Sequence, residues 1–209
     1  MSDHLCNTEN KVSLYDYDQK ATAYTNYAKV VDFFGLAWLR RRLLGSATGR
    51  VLEVAAGSGQ NLKYYPPGVN LTLTDLSQPM LVLANRQANK RGLVVTTGIM
   101  NTENLDFPDD SFDTVVSSLS ICSYDDPIRA LREMARVCQP AGQILLLEHG
   151  ESSWRIIAAW QRWRQSWEKK PSCQLTRNPL ILCQQAGLKV ESCRRSLFGI
   201  IFAITAAKS

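Results

Sequence analysis

Val51-Leu52-Glu53-Val54-Ala55-Ala56-Gly57-Ser58-Gly59-Gln60-Asn61 runs from a short apolar strand straight into a turn of small residues. Small residues at such a turn let the backbone approach a ligand closely. In an open α/β sheet ligands sit at the carboxyl ends of the strands, where this turn lies. A dinucleotide fingerprint, Gly-x-Gly-x-x-Gly, needs a third glycine, but counted from Gly57 that place holds Leu62. The Gly-Lys-Ser/Thr of a P-loop is absent as well. What remains is one carboxylate inside the turn, Glu53, and a second, Asp75, at the end of the next strand.

Outward from the turn the elements alternate. Tyr15 to Leu44 reads as helical and stops at Gly45-Ser46. Gln60 to Tyr65 opens a helix that Pro66-Pro67 ends. Leu71 to Thr74 is a strand, and Asp75 and Ser77 stand where a cap belongs before the helical run Met80 to Lys90. Leu93 to Thr97 and Phe112 to Ser118 are strands, and Ile128 to Val137 is a helix. Pro140-Ala141-Gly142 turns the chain into a fifth strand, Gln143 to Glu148. This rhythm predicts an α/β fold with a mostly parallel sheet and helices on both faces. Leu188 to Ser192 and Leu197 to Thr205 are joined by too few residues for a parallel crossover, so the last strand should be antiparallel.

The chain has 209 residues, 45% hydrophobic and 21% charged, which fits an ordinary globular protein and excludes a disordered one. One domain over 1–209 is expected: an N-terminal helical lid (1–45), a cofactor core (46–150) and acceptor-side helices with the final strands (151–209). The longest uncharged stretch near either end, Ser196 to Ala207, is too short for the roughly 18 residues of a membrane span. Met1 to Lys11 carries charges of both signs and no apolar core, so no secretory signal is expected. The net charge of +5 permits attraction to an anionic surface or ligand. None of the six cysteines forms a C-x-x-C pair, so no zinc ribbon, redox dithiol or other metal site is expected, and they read as reduced thiols of a cytoplasmic protein.

A carboxylate at Asp75 can accept both hydroxyls of a ribose, and Glu53 can counter a cation. A ribose and a positive charge without phosphate describe S-adenosylmethionine. At these residues the sequence resembles the class I S-adenosylmethionine-dependent methyltransferases. Their acid-x-Gly-x-Gly-x-Gly motif corresponds to Glu53-Val-Ala55-Ala-Gly57-Ser-Gly59, with Ala55 in place of the first glycine. The second motif corresponds to Leu73-Thr74-Asp75-Leu76-Ser77 with Met80-Leu81, and the third to Asn101-Thr102-Glu103 through Asp113. Glu133 to Gly142 resembles the family's helix and turn before its fifth strand.

The resemblance implies a Rossmann-like seven-stranded sheet and S-adenosylmethionine as cofactor. It further implies that Asp75 holds the ribose, Asn101 and Thr102 the adenine, and Gly57 and Gly59 the methionine part. Ser58, Asn61, Leu76, Met80 and Ser118 complete the expected lining, and Tyr17 and Tyr24 resemble the family's N-terminal lid.

Transfer from a sulfonium is an in-line displacement, so the main task is to hold nucleophile and methyl in near-attack geometry. A base is needed only where the acceptor must lose a proton. His149, at the end of the fifth strand, is the candidate catalytic residue, with Tyr124 and Asp125 as weaker ones. In the run Ser153 to Lys170, Ile156, Trp160, Trp163 and Trp167 fall on one helical face and Arg155, Arg162 and Lys169 on another. That pattern suits a peripheral membrane helix, an acceptor-pocket lid or a core-packed helix alike. Arg40-Arg41-Arg42 beside Trp38 suits a membrane surface or a solvated helix end.

Within the family the sequence is similar to two subgroups. One is the bacterial phosphatidylethanolamine N-methyltransferases. The other is the methyltransferase-like thiol S-methyltransferases, through Leu119-Ser120-Ile121-Cys122-Ser123, Glu148-His149 and Cys173-Gln174-Leu175-Thr176-Arg177. Quinone C-methyltransferases share the core motifs. The expectation is methyl transfer to a small molecule or lipid headgroup, an amine or thiol. The alternatives are quinone or phenol methylation, or a non-catalytic cofactor-binding subunit. No Asn/Asp-Pro-Pro-Tyr/Phe motif and no appended basic domain point to nucleic acid, and nothing in the sequence fixes an oligomeric state.

Overall fold

The computed structural model describes residues 36–167 and 173–208. Its sheet has seven strands: β1 (Arg50–Val54), β2 (Asn70–Asp75), β3 (Val95–Ile99), β4 (Phe112–Ser118), β5 (Cys138–His149), β6 (Leu188–Ser196) and β7 (Ile201–Lys208). They lie in the order β3-β2-β1-β4-β5-β7-β6. β1 to β5 pair in parallel, whereas β7 runs antiparallel to both β5 and β6. The mostly parallel sheet expected from the alternation, with its antiparallel last strand, and the seven-stranded Rossmann-like form implied by the resemblance are thus observed.

Successive residues of the central strands go to opposite sides. Val51, Leu145 and Leu147 enter one hydrophobic cluster, and Leu52, Ile144 and Leu146 the other. Side chains alternate with period two, so a strand covered on both faces must be apolar throughout. The first cluster packs under α1 (Ala37–Leu44) and α2 (Gln78–Asn89) through Leu39, Leu43, Leu81 and Ala84. The second packs under α3 (Pro127–Val137) and α5 (Pro179–Ala186) through Leu131, Met134 and Cys183. Each fully buried leucine stabilises the fold by roughly 1.5–3 kcal/mol.

Helix starts follow side-chain chemistry. Ser77 Oγ accepts from Met80 N, Asp126 accepts from the N–H groups of Ile128 and Arg129, and Asn178 accepts from Leu180 N.

Several boundaries differ from the sequence reading. The expected helix Gln60 to Tyr65 is only a 3-10 turn, Leu62–Tyr64, because Pro66 forces Tyr65 into extended backbone, φ −69 and ψ 142. β3 starts two residues late, since Leu93 donates its N–H to Ala88 and so closes α2. β5 starts at Cys138, opposite Phe112, and Pro140-Ala141-Gly142 lies within it at a register shift. Leu197 and Phe198, read as strand, make the β6–β7 turn at positive φ.

α1 is the only part of the expected Tyr15 to Leu44 helix within the described residues, and Tyr17, Ala21 and Tyr24 lie outside them. α4 (Arg155–Ser166) buries Ala158 and Gln161, not its aromatic face. Ile156 is 86% exposed, Trp160 54%, Trp163 56% and, just past the helix, Trp167 72%. The core-packed alternative therefore does not hold for these four side chains. The arginine run splits likewise: Arg40 is buried, while Arg41 and Arg42 are exposed. Among the described residues no helix is long and apolar enough to cross a membrane.

Candidate functional site

A cavity of about 650 Å³ opens at the carboxyl ends of β1, β2, β4 and β5. Glu53, Ala55, Gly57, Ser58, Asn61, Asp75, Leu76, Met80, Asn101, Thr102, Ser118 and His149 all line it. Among the wall residues that sequence reasoning had not named for the site are Arg40, Met100, Cys122 and Cys173. Both cysteines stand in segments that carried the resemblance to thiol S-methyltransferases, which was the signal available for them.

The turn after β1 has the shape that its small residues permit. Ala55 sits at φ 48, Gly57 at φ 54 and Gly59 at φ 79, all left-handed. A residue with a Cβ costs roughly 1–2 kcal/mol in this region, and alanine at Ala55, where the family motif has glycine, adds the smallest side chain. A Cβ on Gly57 would meet nothing within 4 Å, so its missing side chain leaves open space toward the cavity. Gly59 differs: a Cβ there would come within 2.7 Å of Leu62 Cδ1 and 3.1 Å of Ala84 Cα. Gly59 does not line the cavity; it lets the turn pack on α2.

The two carboxylates are held in different ways. Asp75 Oδ2 accepts from Gly57 N at 2.8 Å and Oδ1 from Ser77 N at 2.9 Å. A carboxylate is the acceptor that a ribose diol calls for. Glu53 is buried, accepting from Asn61 Nδ2 at 2.7 Å and Tyr65 Oη at 2.8 Å. Burial pushes its carboxyl up to about 7, against those two hydrogen bonds and the nearby charge of Arg40. An incoming cation would favour the ionised form. Asn101 Oδ1 accepts from Glu103 N at 2.9 Å, while the Ser118 hydroxyl is buried without a hydrogen-bond partner.

The far end is built around Glu148. Its buried carboxyl accepts from Ser117 Oγ at 2.7 Å, Ser120 N at 3.0 Å and Ile121 N at 3.2 Å. Burial raises it to about 7. These bonds fix the turn Ile121–Ser123, which presents Cys122. His149 Nε2 lies 3.1 Å from Cys173 Sγ, and its Nδ1 is buried without a partner. Burial lowers the His149 imidazole, but its hydrogen bond to Cys173 and the charges of Cys173 and Glu148 outweigh that and leave it raised. Tyr124 donates to or accepts from Ser120 Oγ at 2.9 Å, and burial raises its phenol, which disfavours it as a base.

Residues 52–146 match a family model described as a methyltransferase domain. A ubiquinone/menaquinone biosynthesis C-methyltransferase from Bdellovibrio bacteriovorus is 31% identical over 167 residues, 76% of this chain and 70% of that protein. The chain belongs to the class I S-adenosylmethionine-dependent methyltransferases. S-Adenosylmethionine is the cofactor of this family, and the pinned Asp75, the open face of Gly57 and the buried Glu53 fit its ribose and cationic tail.

Two other relatives of this methyltransferase match shorter stretches. A phosphatidylethanolamine N-methyltransferase from Cereibacter sphaeroides is 39% identical over 103 residues, 48% of this chain and 51% of that protein. A thiol S-methyltransferase from Homo sapiens is 33% identical over 126 residues, 57% of this chain and 48% of that protein. The chain thus spans about half the length of these two curated relatives. A solved S-adenosylmethionine-dependent methyltransferase from Aquifex aeolicus shares the fold, with a TM-score of 0.60 at 19% identity, covering 87% of this chain and 89% of that one.

Proposed function

We propose that this chain transfers the methyl group of S-adenosylmethionine to an amine or thiol of a small molecule or lipid headgroup. Asp75 takes the ribose, and Asn101 and Thr102 take the adenine edge. Gly57, Ser58 and Asn61 line the methionine side with Glu53 beneath, and Leu76, Met80 and Ser118 close the walls. The observation that carries the reading is one continuous cavity with the Asp75 and Gly57 pair at one end and His149 with Cys122 at the other. An acceptor at the His149 end faces a cofactor at the Asp75 end. His149 is the catalytic residue there, promoting loss of the acceptor's proton.

The relatives' names span an amine lipid, thiols and a quinone carbon. A panel of thiols, amines and quinones, read by S-adenosylhomocysteine release, tests the reading. Turnover confined to quinones would move the acceptor to carbon, and no turnover with any acceptor despite cofactor binding would favour a non-catalytic subunit.

The exposed aromatic face of α4 supports a peripheral membrane contact. Tryptophans at helical spacing, with Arg164 exposed beside them and Arg155 and Arg162 exposed on another face, suit the boundary of an anionic bilayer. Trp38 adds to it, with the guanidinium groups of Arg42 and Arg194 at 5.7 and 5.5 Å from its ring centroid.

A further inference from the structure

Cys122, His149 and Cys173 are far apart in sequence, yet each offers a ligand atom, and the three atoms all lie within 4.8 Å of one another. We propose that they form a three-ligand site for a thiophilic divalent cation, zinc by its chemistry, whose open fourth position takes a thiol acceptor as its thiolate. This deepens the proposed function and rests on the methyltransferase reading of the same cavity.

Four observations converge. The first is the donor set: two thiols and an imidazole are the ligands zinc prefers, and three protein ligands with one open position are the pattern of catalytic zinc sites. Zn–S near ~2.3 Å and Zn–N near ~2.0 Å in a tetrahedron place ligand atoms roughly 3.5–3.8 Å apart. Side-chain rotations of about an ångström bring the cluster to that spacing.

The second is support. The segments bearing the two cysteines are tied together, Gln174 N donating to Cys122 O at 3.0 Å. Arg177 Nη1 donates to Ile121 O at 2.6 Å and Tyr124 O at 2.8 Å. Glu148 clamps the same turn through Ser120 and Ile121. Ligands held by their backbones lose little entropy when an ion binds.

The third is the setting of the imidazole. His149 Nε2 stands against Cys173 Sγ at 3.1 Å, as a ligand atom would, and Nδ1, buried without a hydrogen-bond partner, is left for a water. The fourth is position, since all three residues line the cavity that also holds Asp75 and Gly57, and so a fourth ligand can reach the cation from that cavity.

The chemistry balances without a further reactant. An acceptor thiol binds the cation as thiolate, and its proton passes to water. The thiolate sulfur attacks the methyl carbon, forming a new S–CH3 bond. The old sulfonium S–CH3 bond breaks, and its electron pair returns to the cofactor sulfur, giving neutral S-adenosylhomocysteine. The product thioether is a far weaker ligand than a thiolate and leaves. On this view His149 promotes deprotonation through the cation rather than by taking the proton itself.

The test uses the full-length chain, reduced with a phosphine and freed of metal by chelation, then titrated with cobalt(II) as a spectroscopic probe for zinc. Expected is one cobalt per chain, with a thiolate-to-cobalt charge-transfer band and the visible bands of a tetrahedral site. Cys122→Ser and Cys173→Ser each lose the charge-transfer intensity, and ethanethiol added with S-adenosylhomocysteine shifts the visible bands.

S-Adenosylhomocysteine binding by calorimetry, unchanged in the two serine variants, shows that they fold and reads the cofactor site separately. A wild-type protein that binds S-adenosylhomocysteine but gives no band overturns the metal site and leaves the methyltransferase reading standing. A band that survives in the Cys122→Ser/Cys173→Ser double variant also overturns it, because the metal then sits elsewhere. A band without S-adenosylhomocysteine binding would instead sink the cofactor reading on which the thiol acceptor rests.

Discussion

The backbone N–H of Gly57 donates to Asp75 Oδ2 at 2.8 Å, which ties the turn after β1 to the last residue of β2. The carboxylate is thereby fixed before any ligand arrives, and little side-chain entropy remains to be lost on binding. Removing it deletes the proposed partner of the cofactor's ribose and also loosens the turn.

Asp75→Ala is therefore expected to weaken S-adenosylhomocysteine binding by roughly 1–3 kcal/mol, about 5- to 150-fold. Calorimetry on the folded variant checks this. The wild type should bind one S-adenosylhomocysteine per chain, and equal affinities in the two proteins would take Asp75 out of the site.

Glu53 predicts a pH dependence. Its carboxyl is raised by burial from 4.5 to about 7, so the folded protein holds a proton there that the unfolded chain has lost. The stability from the neutral form is complete below about pH 4.5 and is lost as pH rises through 7. The ionised form, in turn, attracts the cationic tail of the cofactor. S-Adenosylmethionine affinity, measured without an acceptor, should therefore tighten between about pH 6 and 8, by less than tenfold per unit. In Glu53→Gln the trend should be flat; a variant with the same slope as the wild type would assign it to another group.

The two glycines of the turn separate packing from binding. Gly59→Ala puts a Cβ 2.7 Å from Leu62 Cδ1 at φ +79, which costs roughly 1–3 kcal/mol and lowers Tm by several degrees. Gly57→Ala meets nothing within 4 Å and should lower Tm less while reducing cofactor affinity more. Thermal melts and calorimetry on the pair decide it; the reverse order would put Gly59, not Gly57, against the ligand.

His149→Ala should cut turnover by roughly 10²-fold or more and leave S-adenosylhomocysteine affinity nearly unchanged. Kinetics with the best acceptor from the panel, set beside calorimetry, read the two quantities. Equal losses in both would make His149 structural.

Replacing Trp160 and Trp163 by serine should abolish flotation with anionic liposomes and leave Tm nearly unchanged, because both side chains are already exposed. If the wild type stays at the bottom of the gradient, or floats as well on neutral lipid, the charge-assisted membrane contact is refuted.

Much of this protein was legible in its residues. The short apolar runs set which segments are strands. Ser77 marked a helix start, and the small residues from Ala55 to Gly59 marked the tight turn after β1. The position of Asp75 at a strand end pointed to the cavity before any coordinates, because strand ends and cavity mouth coincide in such sheets, whereas Asn101 and Ser118 were expected there through the family resemblance.

Tertiary structure alone decided the rest, and the reason is distance along the chain. Pairings such as Phe112 with Cys138, and the register shift that follows, depend on how two strands meet. Local pattern left the side of α4 that faces solvent open, since a tryptophan face fits a core and a membrane alike. The gathering of Cys122, His149 and Cys173 needed the turn after β4, the end of β5 and the segment after α4 to converge. Sequence spacing reports ligands close in the chain, whereas folding brings together those that are not.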